Sequence, residues 1–452
     1  MTSTVRLTSR NGDLTWPARI GLAGLVLGIA DRIGRDPQLV YMVFGAATMG
    51  VLVAVPAEMF LGLMVLLREL SDVVADQPVA GGLNPGALLG VLAVGAGSLR
   101  LLGRRHLPAL VALLPLMGLL VIWTCVGYVN YGINGSFTRE LVRGTSILMI
   151  ALVASASVRR MPDINRLVAI IVAATVLEGV IAIAQWVLGG DPSARERGTF
   201  AHPNTAAAAF SIALALCFWK LLDKRSKVYI AAAILLAIGL LSTRSLGGLA
   251  QMIATLMAYA VIARGAGRRL AIKALVFGVV VVGVFSLTSI GQGRVQQLQN
   301  TQSYSNTLQG ADQQNSLAWR FGHWGLELKE WRVHPFFGFG AGATAKIVQP
   351  QGKIPHSDYL RYLVETGVFG TLAFGVLFVL IVAAIYRRAR APGEAAPYAT
   401  ALLAIIVGLV VRASEENITT QTAVMYVIAV LIGALFGLPP QAARPRARGW
   451  TA

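Results

Sequence analysis

Four short stretches of this sequence gather side chains that bind anions or move protons. "PHSDYLRYLVETGVFG" (355–370) sets His356 beside Ser357, Asp358 and Arg361 where a long polar stretch gives way to an apolar one. "STRSLGG" (242–248) places Arg244 inside a run that is otherwise apolar. "RGTFAHPN" (197–204) holds Arg197, His202 and Asn204, and "WRFGHWGLELKEWRVHPFFGFGAG" (319–342) holds Arg320 ahead of a Pro/Gly break. An imidazole titrates near neutrality, at roughly pH 6.5, and is the usual group for moving a proton there. Guanidinium forks grip phosphate oxygens bidentately and stay charged at any relevant pH. Several of them facing one compartment suit a polyanion such as a pyrophosphate. Residue types alone say that an anion is handled at a membrane surface. They also admit a His356 that is only hydrogen-bonded at an interface and an Arg244 that snorkels to the water boundary.

The elements that must position these residues are apolar. Of 452 residues, 56% are hydrophobic and 13% charged, against roughly 25% charged in a soluble globular protein. Runs such as "LPALVALLPLMGLLVIWTCVGYV" (107–129) and "LAIKALVFGVVVVGVFSLTSIG" (270–291) reach the roughly 20 residues needed to cross a bilayer. They are far too long for barrel strands, and in hydrocarbon the backbone must satisfy itself internally. An all-α integral membrane protein follows, with about 12 and up to 14 transmembrane helices. Pro56 is expected to bend or break the run at 39–67. An ionisable group such as Arg244 at that depth costs on the order of 2.5–3.5 kcal/mol on insertion scales, so it is a functional candidate by default.

Basic loops at 100–106, 159–163, 220–227, 264–269 and 387–391 recur at every second connection. That pattern orients them to the cytoplasm, with both termini inside and no cleaved signal peptide. The net charge of +18 is therefore spread between spans and forms no nucleic-acid stripe. Cys125 and Cys217 read as small core hydrophobes. Three regions are expected: transmembrane helices over 1–290, a long outer loop with an amphipathic helix over 291–356, and further helices with a cytoplasmic tail over 357–452. Ser357 or Asp358 can cap the helix that begins after Pro355. Arg361 and Glu365, four apart, can pair, and Gly367 and Gly370 suit close helix packing.

In the same order along the chain, these stretches resemble the R-G-x-F-x-x-P-N, S-R, R-x-x-x-W…P-x-x-G-x-G and H-[NS]-x-[YF]-L…E-x-G-x-x-G elements of the O-antigen ligase and polymerase superfamily. Asn is common in the family beside the histidine, where this chain has Ser357 and Asp358. The resemblance implies a glycosyltransferase of GT-C type in the bacterial inner membrane. Its donor would be a glycan on undecaprenyl pyrophosphate, presented on the periplasmic face, and its acceptor lipid A–core or another glycan. It implies that Arg244 and Arg320 hold the pyrophosphate, that His356 assists the acceptor hydroxyl, and that no metal or other cofactor is needed. Arg197 is a further phosphate contact. Glu415 and Glu416 would support the base or touch acceptor sugar, and Tyr359 would line the substrate path. Asn204, His202 and His323 read as structural. A ligase is the leading expectation, a polymerase joining lipid-linked repeat units the first alternative. A transporter or flippase of an anionic lipid is the second, disfavoured because the polar residues crowd one membrane face and no internal repeat is visible.

Overall fold

The structure, a computed structural model, describes residues 47–74, 84–102, 108–132, 135–189, 194–223, 226–287, 292, 316–347 and 355–439. The apolar run at 18–30, read from sequence as a further span or an interfacial helix, lies outside these residues, as do the loop carrying His106 and the Gln/Asn/Ser-rich first part of the long loop. A helical stretch over 47–54 stops before Pro56, whose φ of −53° and ψ of 151° leave the helical region, and the chain resumes as α1 (Ala57–Leu70). There follow α2 (Pro85–Leu101), α3 (Pro108–Tyr131), α4 (Gly135–Ser157), α5 (Met161–Leu188), α6 (Pro203–Asp223) and α7 (Lys227–Ser242). Then come α8 (Leu246–Ile262), α9 (Ala266–Leu287), α10 (Ser316–Trp331), the short α11 (Thr344–Ile347), α12 (Asp358–Arg390), α13 (Ala395–Ala413) and α14 (Thr422–Gly437).

Among the described residues, six helices are long and apolar enough to cross a membrane: α3 from Leu113, α4 from Ser136, α5, α6 to Leu222, α12 and α13. Helices α2, α7, α8 and α14 are apolar but shorter. The chain is a multi-pass membrane protein, and its apolar residues divide accordingly. Val276, Phe277, Val279 and Val280 of α9 are exposed, as lipid-facing positions must be. Helix α6 is the opposite case. Ala206, Ala207, Ala208, Phe210, Ile212, Ala213, Leu216 and Cys217 are all 1% exposed or less, so it is buried on every side. Its run of alanines lets α7, α8 and α13 approach closely, which is the packing available where apolar burial from water no longer drives association. Cys217 is the core residue expected; Cys125 is exposed.

Consecutive helices joined by short turns run in opposite directions. Loop 194–202, turn 243–245, residues 355–357 and segment 414–421 therefore share one end of the bundle. The basic turns after α4, α6 and α12 share the other.

Helix α12 differs from its sequence reading. Gly367 has φ 63° and ψ −171°, a conformation open essentially to glycine alone. The helix breaks there, and the strand-like segment after Pro335 fills the gap. Phe339 and Gly340 N–H donate to the Val364 and Glu365 carbonyls at 3.1 and 2.8 Å. Val368 and Phe369 N–H donate to the Pro335 and Phe336 carbonyls at 2.9 and 3.1 Å. The Trp123 indole on α3 donates to the carbonyls of Phe337 and Thr366. Gly367 is thus a backbone break, and of the expected pair only Gly370 packs a helix, with its Cα against Trp123. The interlock satisfies polar backbone that a broken helix would otherwise leave bare in the membrane.

Candidate functional site

Turn 243–245 is the centre of the polar end. Arg244 adopts φ 50°, unusual for a residue with a side chain. Ser245 then caps α8, its hydroxyl accepting from Gly248 N–H at 3.2 Å. Held this way, the Arg244 side chain is 7% exposed and its Nη2 has no hydrogen-bond acceptor. A buried guanidinium nitrogen without an acceptor is costly, and a bound anion is what would satisfy it.

Its chain neighbours tie the turn to three other segments. The Thr243 carbonyl accepts from Arg195 Nε at 3.2 Å, and Ser245 Oγ donates to Asn204 Oδ1 at 2.9 Å. Asn204 Oδ1 also accepts from Arg195 Nη2 at 2.8 Å, while Asn204 Nδ2 donates to Glu416 Oε2 at 2.6 Å. Glu416 Oε1 meets His356 Nδ1 at 2.8 Å. On the other flank Arg320 Nη1 pairs with Glu415 Oε2 at 3.5 Å, and Glu415 Oε1 accepts from Arg412 Nη1 at 2.9 Å. Arg412, 2% exposed, also reaches the Asn204 carbonyl, Ser245 Oγ and, at 3.9 Å, Glu416 Oε2. One polar network thus connects Arg320, Arg412, Glu416 and His356 through the turn that bears Arg244.

The electrostatics fix the protons. Burial works to raise the Glu416 carboxyl, but the hydrogen bond and charge of His356, with Arg412 and His202, outweigh it and hold Glu416 at about 2. An ionised carboxylate only accepts, so His356 donates to it from Nδ1. The side chain of His356 is 26% exposed, so the ring stands at the open side of the network. His202 stands near the same charges. Burial, with Arg195 and Arg412 adding to it against Glu416, pushes its imidazole down to about 4. Its Nδ1 accepts from Asn204 N–H at 3.1 Å, leaving a hydrogen on Nε2.

The structure places Arg244, Arg320, His356, Glu415 and Glu416 together at one end of the bundle. It does not gather the remaining two. Arg197 is exposed and donates to the Ala201 carbonyl at 2.8 Å. Tyr359 is 50% exposed and its hydroxyl donates to the Val410 carbonyl at 2.8 Å, on α13, because its helical face turns outward. The capping expectation also changes: Ser357 precedes α12 without a side-chain cap, and Asp358 instead accepts from Thr419 N–H at 3.0 Å. Asn204 and His202, expected to be structural, join the network. Arg412 and Arg195 carried a signal, since Arg412 ends an apolar helix and Arg195 lies in the polar loop at the same end of the bundle. Arg361 and Glu365 pair as expected at 3.2 Å, with Glu140 of α4 as a further partner of Arg361 at 2.7 Å. His323 is buried against Glu327 at 3.4 Å inside α10.

Gly247, just after the turn, admits the site's own side chains, since a Cβ there would overlap Arg412 and Glu415. The loop that carries Arg195 and His202 is pinned from beneath: Thr199 N–H and hydroxyl donate to buried Glu178 at 2.8 and 2.7 Å.

Residues 231–375 match the family model for O-Antigen ligase. The matched stretch contains Arg244, Arg320 and His356, whereas Arg195, Asn204, Arg412 and Glu416 lie outside it and arrive by folding. No curated protein matches the chain.

Proposed function

From the O-antigen ligase domain carried by residues 231–375, we propose that this chain transfers a glycan from a lipid pyrophosphate to an acceptor hydroxyl, as a metal-independent transferase of GT-C type. The donor is a glycan on undecaprenyl pyrophosphate at the periplasmic face of the bacterial inner membrane, and the acceptor is lipid A–core. The observation that carries this reading is the buried Arg244 guanidinium, lacking an acceptor, in the same network as an imidazole oriented by a carboxylate.

In the reaction, the acceptor oxygen attacks the anomeric carbon as the bond to the pyrophosphate breaks. The leaving group departs with the electron pair, and the hydroxyl proton passes to His356 Nε2. Arg244 and Arg320 stabilise charge that develops on the pyrophosphate, as preorganised donors do best where charge appears in the transition state. Glu416 holds the imidazole in the accepting tautomer. Glu415 keeps Arg320 and Arg412 side by side, and Arg197 and Tyr359 contact the outer parts of the substrates. A single displacement inverts the anomeric centre.

The test is incubation of purified protein with undecaprenyl-pyrophosphate glycan, with and without lipid A–core. Product that requires lipid A–core identifies a ligase, and longer lipid-linked chains without it identify a polymerase. Arg244→Ala, Arg320→Ala and His356→Ala should each insert normally and transfer nothing. Wild-type transfer by all three would end the reading, and analysis of the product anomer checks inversion.

A further inference from the structure

A second basic recess lies beside the first, at the same end of the bundle. Arg68 at the end of α1, Arg139 and Arg143 of α4, Asn84 before α2, Ser146 and Thr422 line a small cavity of about 30 Å³ that opens outward. No carboxylate lines it. Asn84 Oδ1 accepts from Ala87 N–H at 2.7 Å, so the N-terminus of the 17-residue α2 also faces this space. Helix N-termini and arginines both favour an anion.

The independent observation is Arg68. Its side chain is 8% exposed and Nη2 pairs with Asp72 at 3.1 Å, but Nε and Nη1 are buried without an acceptor. Asp72 turns its other oxygen to Ala201 N–H at 2.9 Å, so its Oδ1 meets Arg68 at Nη2. Arg143 leans on Glu140, a carboxylate also claimed by Arg361. Two guanidinium nitrogens of Arg68 are thus left without an acceptor at the wall of the recess. The outward faces of the same helices are apolar and exposed at Leu67, Leu70, Leu88 and Val91, so whatever enters the recess does so alongside lipid.

We propose that this recess is a second phosphate-binding site, taking the phosphate headgroup of a membrane amphiphile. Arg68 and Arg139 hold the phosphate oxygens, Ser146 and Thr422 line its floor, and the acyl or prenyl chain lies along α1 and α2. The site is separate from the Arg244 cluster and does not depend on the transferase reading. The two are linked through Asp72 and the loop that also carries Arg195 and His202.

The experiment uses full-length purified protein carrying Arg244→Ala and Arg320→Ala, which removes anion binding at the first cluster. Native mass spectrometry then follows titration with dioleoylphosphatidic acid, dioleoylglycerol and inorganic phosphate. The expected result is one retained phosphatidic acid and no retained dioleoylglycerol. Binding should weaken about ten-fold on adding Arg139→Gln, the loss of one charge-assisted contact, and similarly with Arg68→Gln. Arg139 is exposed and Arg68 is buried, so Arg139→Gln is the milder change for the fold, and a melting curve beside each titration separates lost binding from lost structure. Unchanged retention in Arg139→Gln overturns the proposal. Inorganic phosphate that displaces the lipid at equal concentration assigns the site to the free anion and overturns the amphiphile as occupant.

Discussion

Replacing Glu416 by glutamine changes one atom and should disable the site. Both carboxylate oxygens accept: Oε1 from His356 and from Asn417 N–H, Oε2 from Asn204 Nδ2 with Arg412 nearby. A glutamine has one accepting oxygen and one donating NH₂ group. If the NH₂ faces His356, the ring must accept at Nδ1, its hydrogen moves to Nε2, and the lone pair that would take the acceptor proton is gone. If the NH₂ faces Asn204, two donors collide in a buried place and Arg412 loses its second anion. Losing a charged hydrogen-bond partner costs about 1.5–3 kcal/mol. A wrong tautomer costs more, and together a fall of roughly 10²- to 10⁴-fold in kcat is expected. KM for the donor should hardly move, since no guanidinium is removed.

Stability gives a second readout with a definite sign. The Glu416 carboxyl falls from an ordinary 4.5 to about 2 in the folded chain, worth about 3 kcal/mol. Because the folded value is depressed, this stabilisation is complete above pH 4.5 and is lost as pH falls through 2. Glu416→Gln should therefore melt well below the wild type at pH 7, with the gap narrowing on acidification. Single-turnover transfer from lipid-linked glycan, with melting in the same detergent, measures both. Wild-type kcat in Glu416→Gln, with His356→Ala inactive, would refute the assigned role of the carboxylate.

Arg244→Lys keeps the charge but loses the planar fork, so donor KM should rise with expression unaffected; an unchanged KM removes the direct phosphate contact. Gly247→Ala should destabilise by about 1–3 kcal/mol through overpacking against Arg412 and Glu415, and lower transfer further by displacing Arg320's partner; a melting curve at the wild-type position would show the turn is looser than described. Gly367→Ala should cost about 1–3 kcal/mol, because Cβ is unwelcome at φ 63° and meets the Phe336 backbone, and protease sensitivity after Pro335 would report the opened interlock. Protonation of His202, held down to about 4, is resisted in the folded chain. Stability should thus decline as pH falls from roughly 6.5 toward 4, and His202→Gln should flatten that part of the profile; an identical profile would place the ring outside the charged network.

Much of the fold was legible because crossing a bilayer is a local demand on length and apolarity. The break at Pro56, the helix at 316–331 and the Arg361–Glu365 pair all follow from residues close in sequence. The kink at Gly367 did not, since apolar periodicity continues through it. Its cause is a backbone segment some thirty residues upstream whose N–H groups and carbonyls complete the broken helix. Tyr359 stands apart from the network for a related reason: a helical face can be counted, but which neighbour it meets depends on how the helix is turned.

The site divides along the same line. His356, Arg244 and Arg320 stood out as ionisable groups at apolar boundaries, and motif order bound them together. Asn204 looked like a helix-start residue because its partners, Ser245 and Glu416, lie 41 and 212 positions away. Yet Asn204 is the group that joins the Arg244 turn to the Glu416–His356 pair. Its amide oxygen takes hydrogen bonds from Arg195 and Ser245 around the turn of Arg244, while its amide nitrogen steadies the carboxylate that orients His356. An aspartate in its place could not donate to Glu416, and an alanine would release both halves. In the proposed reaction, residue 204 is therefore where anion binding and proton transfer are mechanically coupled, through hydrogen bonds to Ser245 and Glu416.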